Sequence, residues 1–140
     1  MSLPAVLLPL FVEVLLTFAL MLWMGALRNR DYRSGAVQPQ DIALREPLWP
    51  RPTAQVANSF SNQFELPVLF YVLTILELVT RHAGVIFVAL AWIFVIFRAL
   101  QAYVHTTSNI VRLRGAFYGV AALALMVMWA IYIIQVLTGT

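Results

Sequence analysis

The chain has 140 residues, of which 62% are hydrophobic and only 11% charged, against about 25% charged in an ordinary soluble domain. With a mean hydropathy of +0.86, it belongs to the membrane class, and its length allows one small bundle rather than several domains. Cysteine is absent, which excludes a thiol nucleophile, a disulfide and a thiolate metal ligand, so any sulfur chemistry must bring its thiol with the substrate.

The first apolar span runs from Leu3 to about Leu27 and is interrupted only by Pro4, Pro9 and Glu13. It is near the ~20 residues needed to cross ~30 Å of hydrocarbon. It lacks a basic leader, is too long for the core of a signal peptide, and is followed by Arg28 and Arg30. A retained helix is expected. Glu13 lies more than a turn inside it, which makes it a functional candidate by default. The sequence names no partner for it.

The segment Arg28 to Pro52 is the one long hydrophilic connection. Gly35, Pro39, Pro47, Pro50 and Pro52 argue against a continuous helix there. Leu48-Trp49 suits an interfacial contact, or a cover over the membrane end of a site.

The second span, about 53–80, opens polar and becomes apolar from Leu66. At about 100° per residue, Gln55, Asn58, Asn62 and Glu65 share an arc of roughly 80°. Such a stripe at membrane depth is expensive unless it meets protein, water or a ligand. Hydrogen bonding between helices is the plain reading for Gln55 and Asn58. Asn62 and Glu65 sit deeper, just before Pro67, which frees the carbonyl of Gln63 and predicts a kink with room for a ligand. Glu77 and Arg81, spaced i,i+4, are expected to pair.

A third helix is expected over 83–110. Arg98, Gln101, His105, Asn109 and Arg112 fall within roughly 80° of arc if that helix continues. Such a face could neutralise Glu65, bind an anion, or snorkel toward headgroups. In the fourth helix, about 114–137, Arg114 is followed one turn later by Tyr118. A guanidinium beside helix N-terminal amides makes an anion site that could hold a carboxylate or stabilise a thiolate. A headgroup contact and an interfacial tyrosine are the structural alternative.

All basic residues are arginine. Arg28, Arg30, Arg33, Arg45 and Arg51 lie in or beside the first connection, and Arg98, Arg112 and Arg114 lie at or near the third. Arg81 alone marks the second. The positive-inside rule then places the first and third connections in the cytoplasm and both termini outside. The net charge of +3 is explained by this orientation and by anionic headgroups, so nucleic acid is not an expected partner. His82 and His105 fall on opposite sides of the membrane and cannot share a metal, and none is expected.

Asn62-x-x-Glu65-x-Pro67 opening the second span, Arg98 late in the third and Arg114-x-x-x-Tyr118 opening the fourth resemble the MAPEG family, the membrane-associated proteins in eicosanoid and glutathione metabolism. The likeness runs from about Thr53 to Leu137 and is closest to the bacterial branch, through Asn62 to Pro67 and His105 to Asn109. It implies an all-α integral membrane four-helix bundle assembled as a homotrimer, in a bacterial inner membrane, with glutathione as co-substrate bound between neighbours. Asn62, Glu65 and Arg98 match family positions that hold glutathione. Arg114 matches the one that stabilises its thiolate, with Tyr118 nearby. His105, Asn109 and Arg112, on the arc of Arg98, join them as candidate binding residues.

There are departures. Asn58 and Ser61 stand where members often have basic residues, so two carboxylate contacts are missing or come from Arg28, Arg30 or Arg51. His105 replaces a tyrosine found in several members. The expected function is a glutathione-dependent transferase or peroxidase acting on lipophilic electrophiles. The alternative is a non-catalytic membrane module that binds lipid or a partner. A channel ranks last, since the fourth span offers only Tyr118, Tyr132 and Gln135.

Overall fold

The computed structural model describes residues 2–43 and 48–140. Arg45 and Pro47 of the first connection lie outside the described residues. Four apolar spans are present, each a helix or helix pair long enough to cross a membrane.

Helix α1 spans Leu3–Arg33 and starts at Ser2, whose Oγ accepts from the Ala5 amide at 3.4 Å. Pro4 lies in its first turn, where no helical hydrogen bond is lost. The helix does not stop at Arg28. Its 31 residues rise about 46 Å, so the last turns carry arginine beyond ~30 Å of hydrocarbon. Val6, Pro9, Glu13 and Leu20 form the buried stripe, at the three- and four-residue spacing of one helix face. Leu8, Phe11, Leu15, Phe18 and Leu22 are exposed. That is the reverse of a soluble helix and fits contact with lipid.

Buried Asp31, near the end of α1, accepts from the hydroxyl of buried Thr53 and pairs with Arg30 at 3.2 Å. This clamp ties α1 to the start of the second span. Pro39–Asp41 form a short 3₁₀ turn in the connection, and the Arg28 guanidinium lies 5.3 Å from the Trp49 ring centre.

The second span was expected as one kinked helix and is instead two. Helix α2 covers Arg51–Ser61, a 3₁₀ turn covers Asn62–Phe64, and α3 covers Leu66–Val79. Between them Glu65 leaves helical geometry, with φ −101° and ψ −107°. Pro67 cannot donate to the Gln63 carbonyl, and it falls in the first turn of α3 where that loss is harmless. The Asn62 carbonyl accepts both the Glu65 amide at 3.3 Å, which closes the 3₁₀ turn, and Arg98 Nη2 at 3.0 Å. The proline permits the break, and Arg98 braces it from the third span.

Helix α3 ends at Val79, and Arg81 enters the left-handed region at φ 59°. The expected Glu77–Arg81 pair is therefore not formed. Among the described residues the ion pairs are Arg30–Asp31 and Arg98–Glu13. The pairing failed because the helix ends before Arg81 can stack one turn beyond Glu77. Helix α4 (Val85–Thr106) packs most closely on α5 (Val111–Thr138), and α3 lies against α1 and α5. Fully buried Ala91 and Ala121, with Phe70 stacked on Phe94 at 4.8 Å, form the dry centre. Between membrane helices such close packing of small and aromatic groups replaces the hydrophobic effect as the source of cohesion.

Candidate functional site

The polar groups gather where α2 breaks, α4 ends and α5 begins. Helix α4 stops at Thr106 because the chain turns through Asn109, at φ 51°, whose amide closes on the Val104 carbonyl at 2.7 Å. Asparagine tolerates this conformation better than most residues. The predicted stripe along a continued third helix is thus cut short. Arg98, Gln101 and His105 stay on α4, Asn109 becomes part of the turn, and Arg112 is exposed in the first turn of α5.

The turn has a second effect. Asn109 Oδ1 accepts from Arg114 Nη1 at 2.7 Å, which fixes the guanidinium one turn into α5. Ile110 at the start of that helix has no capping side chain, and its first turn holds no acid. Unsatisfied amides and the helix dipole therefore reinforce the positive charge of Arg114.

Arg114 and Tyr118 face an open cleft of about 580 Å³ whose other walls are Asn58, Ser61, Asn62 and Glu65 from the broken second span and Gln101 and His105 from α4. Glu65 is exposed, so the cleft carries one cation and one anion on different walls. His105 is 5% exposed, and its Nδ1 has no hydrogen-bond partner. Gln55 braces the His105 carbonyl at 3.4 Å. Asn109 and Arg112 do not line the cleft, nor do Arg28, Arg30 and Arg51.

Arg98 lies behind the wall rather than on it. It is 1% exposed and faces Glu13, which is 0% exposed, with Nε 3.9 Å from the carboxylate. Nη1 donates to Gln101 Oε1 at 2.6 Å and Nη2 to the Asn62 carbonyl at 3.0 Å. Gln63 joins the cluster when its amide nitrogen points at Glu13 Oε1 (2.7 Å) and its oxygen receives Arg98 Nη2 (3.1 Å), while Glu13 Oε2 and Arg98 Nε make no hydrogen bond. Glu13 thus gains the partner that its sequence position withheld. Gln63 had no assigned role in the sequence reading. Its signal was a polar residue off the Asn58–Asn62–Glu65 stripe, with Glu13 and Thr17 four apart on α1 to receive it.

A carboxylate and a guanidinium buried together cost less than either alone, and hydrogen bonds must fill what the ion pair leaves open. The cluster joins α1, the break in the second span and α4, so it holds the cleft's Asn62 wall in place. Among the described residues no group of three histidines and acids could hold a metal ion.

The Asn109 turn makes a separable prediction. Asn109→Gly should leave stability within about 1 kcal/mol, since glycine accepts positive φ, while freeing Arg114. Asn109→Ala should lose about 1–2 kcal/mol. Thermal unfolding of both proteins in one detergent compares them, and equal losses would sink the backbone explanation.

Four helical spans define an integral, multi-pass membrane protein, and the polar, charge-bearing cleft at one end of the bundle is its candidate site. Residues 6–134 match the MAPEG family, and the chain belongs to it. It is therefore one of the membrane proteins associated with eicosanoid and glutathione metabolism. No curated protein and no solved structure matches the chain.

Proposed function

We propose that this protein is a membrane-bound glutathione-dependent transferase or peroxidase acting on lipophilic electrophiles. The observation that carries the reading is Arg114, fixed by Asn109 at the uncapped start of α5 and facing a cleft whose opposite wall bears Glu65. Glutathione is a zwitterionic thiol. Arg114 and the helix amides hold its sulfur as the thiolate, and Glu65 receives its ammonium group. Tyr118 and the side chain of Asn62 supply neutral hydrogen bonds. In transfer, the thiolate pair forms a carbon–sulfur bond and the leaving group departs with its own pair, or an activated double bond takes a proton. In peroxide reduction, the thiolate takes the terminal peroxide oxygen and becomes a sulfenic acid, and the O–O pair leaves on the alkoxide and is protonated to the alcohol. The thiol of a second glutathione then attacks the sulfenic sulfur, giving the disulfide and water. The electrophile reaches the cleft laterally from the bilayer.

The arginine-rich end carrying the cleft faces the cytoplasm in this reading, and the protein works as a homotrimer in a bacterial inner membrane. Neighbouring protomers supply the cations that Asn58 and Ser61 do not. Arg98, His105, Asn109 and Arg112 serve as support: Arg98 behind the wall, His105 as a neutral contact, Asn109 as the Arg114 clamp, and Arg112 at the rim.

The test is a glutathione titration of the purified protein in nanodiscs, followed by calorimetry. Wild type should bind saturably, and Glu65→Gln should weaken binding about tenfold, the loss of one charge-assisted hydrogen bond. A second reading, a non-catalytic module that binds lipid or a partner, draws on the neutral Asn58 and Ser61 on the cleft wall. Thermal stabilisation by a hydrophobic ligand but not by millimolar glutathione would favour it.

A further inference from the structure

The opposite end of the bundle holds a second cavity, of about 300 Å³, where α3 ends, α4 starts and the last turns of α5 close over them. Phe87, Leu90, Met128 and Ile131 make its walls apolar. Two polar atoms on those walls are unsatisfied. Glu77 is 2% exposed, and its Oε2 has no hydrogen-bond partner. Gln135 Oε1 is likewise buried without a donor.

Nearby groups do not fill these vacancies. His82 places Nδ1 2.8 Å from Thr80 Oγ1 and Nε2 3.0 Å from the Thr140 carbonyl, and neither ring nitrogen bonds Glu77 or Gln135. Arg81 is exposed; it shares an adjoining recess with Glu77 but forms no ion pair with it. A buried carboxyl without donors is costly in apolar surroundings, and at membrane depth such a group marks a site for something that completes it. Both open atoms are acceptors, so the missing group is a donor. A primary ammonium offers three N–H groups on one charged atom, enough donors for more than one acceptor.

We infer that this cavity is a second ligand site, which takes a primary ammonium carried on an apolar body, with Glu77 and Gln135 receiving the head and Phe87, Leu90, Met128 and Ile131 holding the chain. The site is separate from the glutathione cleft and does not depend on it. A free long-chain amine and an aminophospholipid headgroup share this chemistry.

The experiment uses the full-length protein in phosphatidylcholine nanodiscs and a long-chain primary alkylamine bearing a photoreactive diazirine. Labelled peptides are mapped by mass spectrometry. Labelling should be saturable and fall on the Phe87–Leu90 and Met128–Ile131 segments. Dodecylamine should compete, and the quaternary dodecyltrimethylammonium, which has no N–H, should compete at least about tenfold less well. Glu77→Gln and Gln135→Leu should each weaken competition about tenfold, and the second variant covers the case in which the first fails to fold. Competition by phosphatidylethanolamine as well would identify the lipid as the source, and competition by dodecylamine alone a free amine. Labels spread over lipid-facing residues, or labelling unchanged in both variants, would overturn the site.

Discussion

Arg98→Ala is expected to destabilise the protein by about 3–5 kcal/mol, the cost of leaving a buried partner charge uncompensated. The expectation rests on burial as much as on contact. Arg98 and Glu13 are 1% and 0% exposed, so neither can turn to water when the other is removed. Removing the guanidinium also releases the Asn62 carbonyl (3.0 Å), the Gln101 amide oxygen (2.6 Å) and the Gln63 amide oxygen (3.1 Å). The damage should therefore reach the cleft, where Asn62 and Gln101 are wall residues.

A double-mutant cycle separates charge from packing. Glu13→Gln and Arg98→Met should together cost less than the sum of the two single changes, by about 0.5–3 kcal/mol. Equilibrium unfolding in mixed micelles provides the free energies. A wild-type midpoint for Arg98→Ala would show that the cluster does not hold the bundle together.

Arg114→Ala should instead spare the fold and remove the chemistry. Arg114 is half-buried at the cleft, and its side-chain hydrogen bond goes to Asn109, so stability should change by no more than about 0.5 kcal/mol. Loss of a positioned charge beside developing negative charge typically lowers kcat about 10²–10³-fold. Glutathione conjugation to a lipophilic electrophile, and reduction of a lipid hydroperoxide, should both fall by that order. Arg114→Lys should be intermediate, because lysine keeps the charge but not the planar fork that Asn109 Oδ1 orients. Equal activity in wild type and Arg114→Ala would remove the residue from the mechanism.

The two arginines show how differently one residue type reads in sequence and in space. Both lay beside polar stripes and both were candidates for ligand contact. Arg114 meets the cleft. Arg98 turns inward, because Glu13 on α1 lies close enough to claim it, and no spacing within the third helix could reveal a partner some 85 residues earlier in the chain. His105 was legible as a polar residue on the right face, but not as a buried group whose Nδ1 is unpartnered. Asn109 and Arg112 were misplaced by one assumption, that the third helix continued past Thr106. The residue that ended it, Asn109, can enter the left-handed region, but the sequence does not show when it will.

What the sequence determined was what depends on composition and local order. Four apolar runs of membrane length, separated by polar connections of which the first is rich in arginine and proline, specify a multi-pass helical protein, because a bilayer leaves the backbone no other economical way across. The order of Asn62, Glu65, Pro67, Arg98, Arg114 and Tyr118 pointed to the family, and the absence of cysteine meant that any thiol must come with the substrate. Tertiary structure alone decided which polar groups meet. It paired Glu13 with Arg98 and Gln63, divided the second span at Asn62–Glu65, set Asn109 against Arg114, and left Glu77 without Arg81. Each of these depends on where helix ends fall and which faces are brought within about 4 Å, and electrostatic and hydrogen-bond energies in a dry interior are settled at that range.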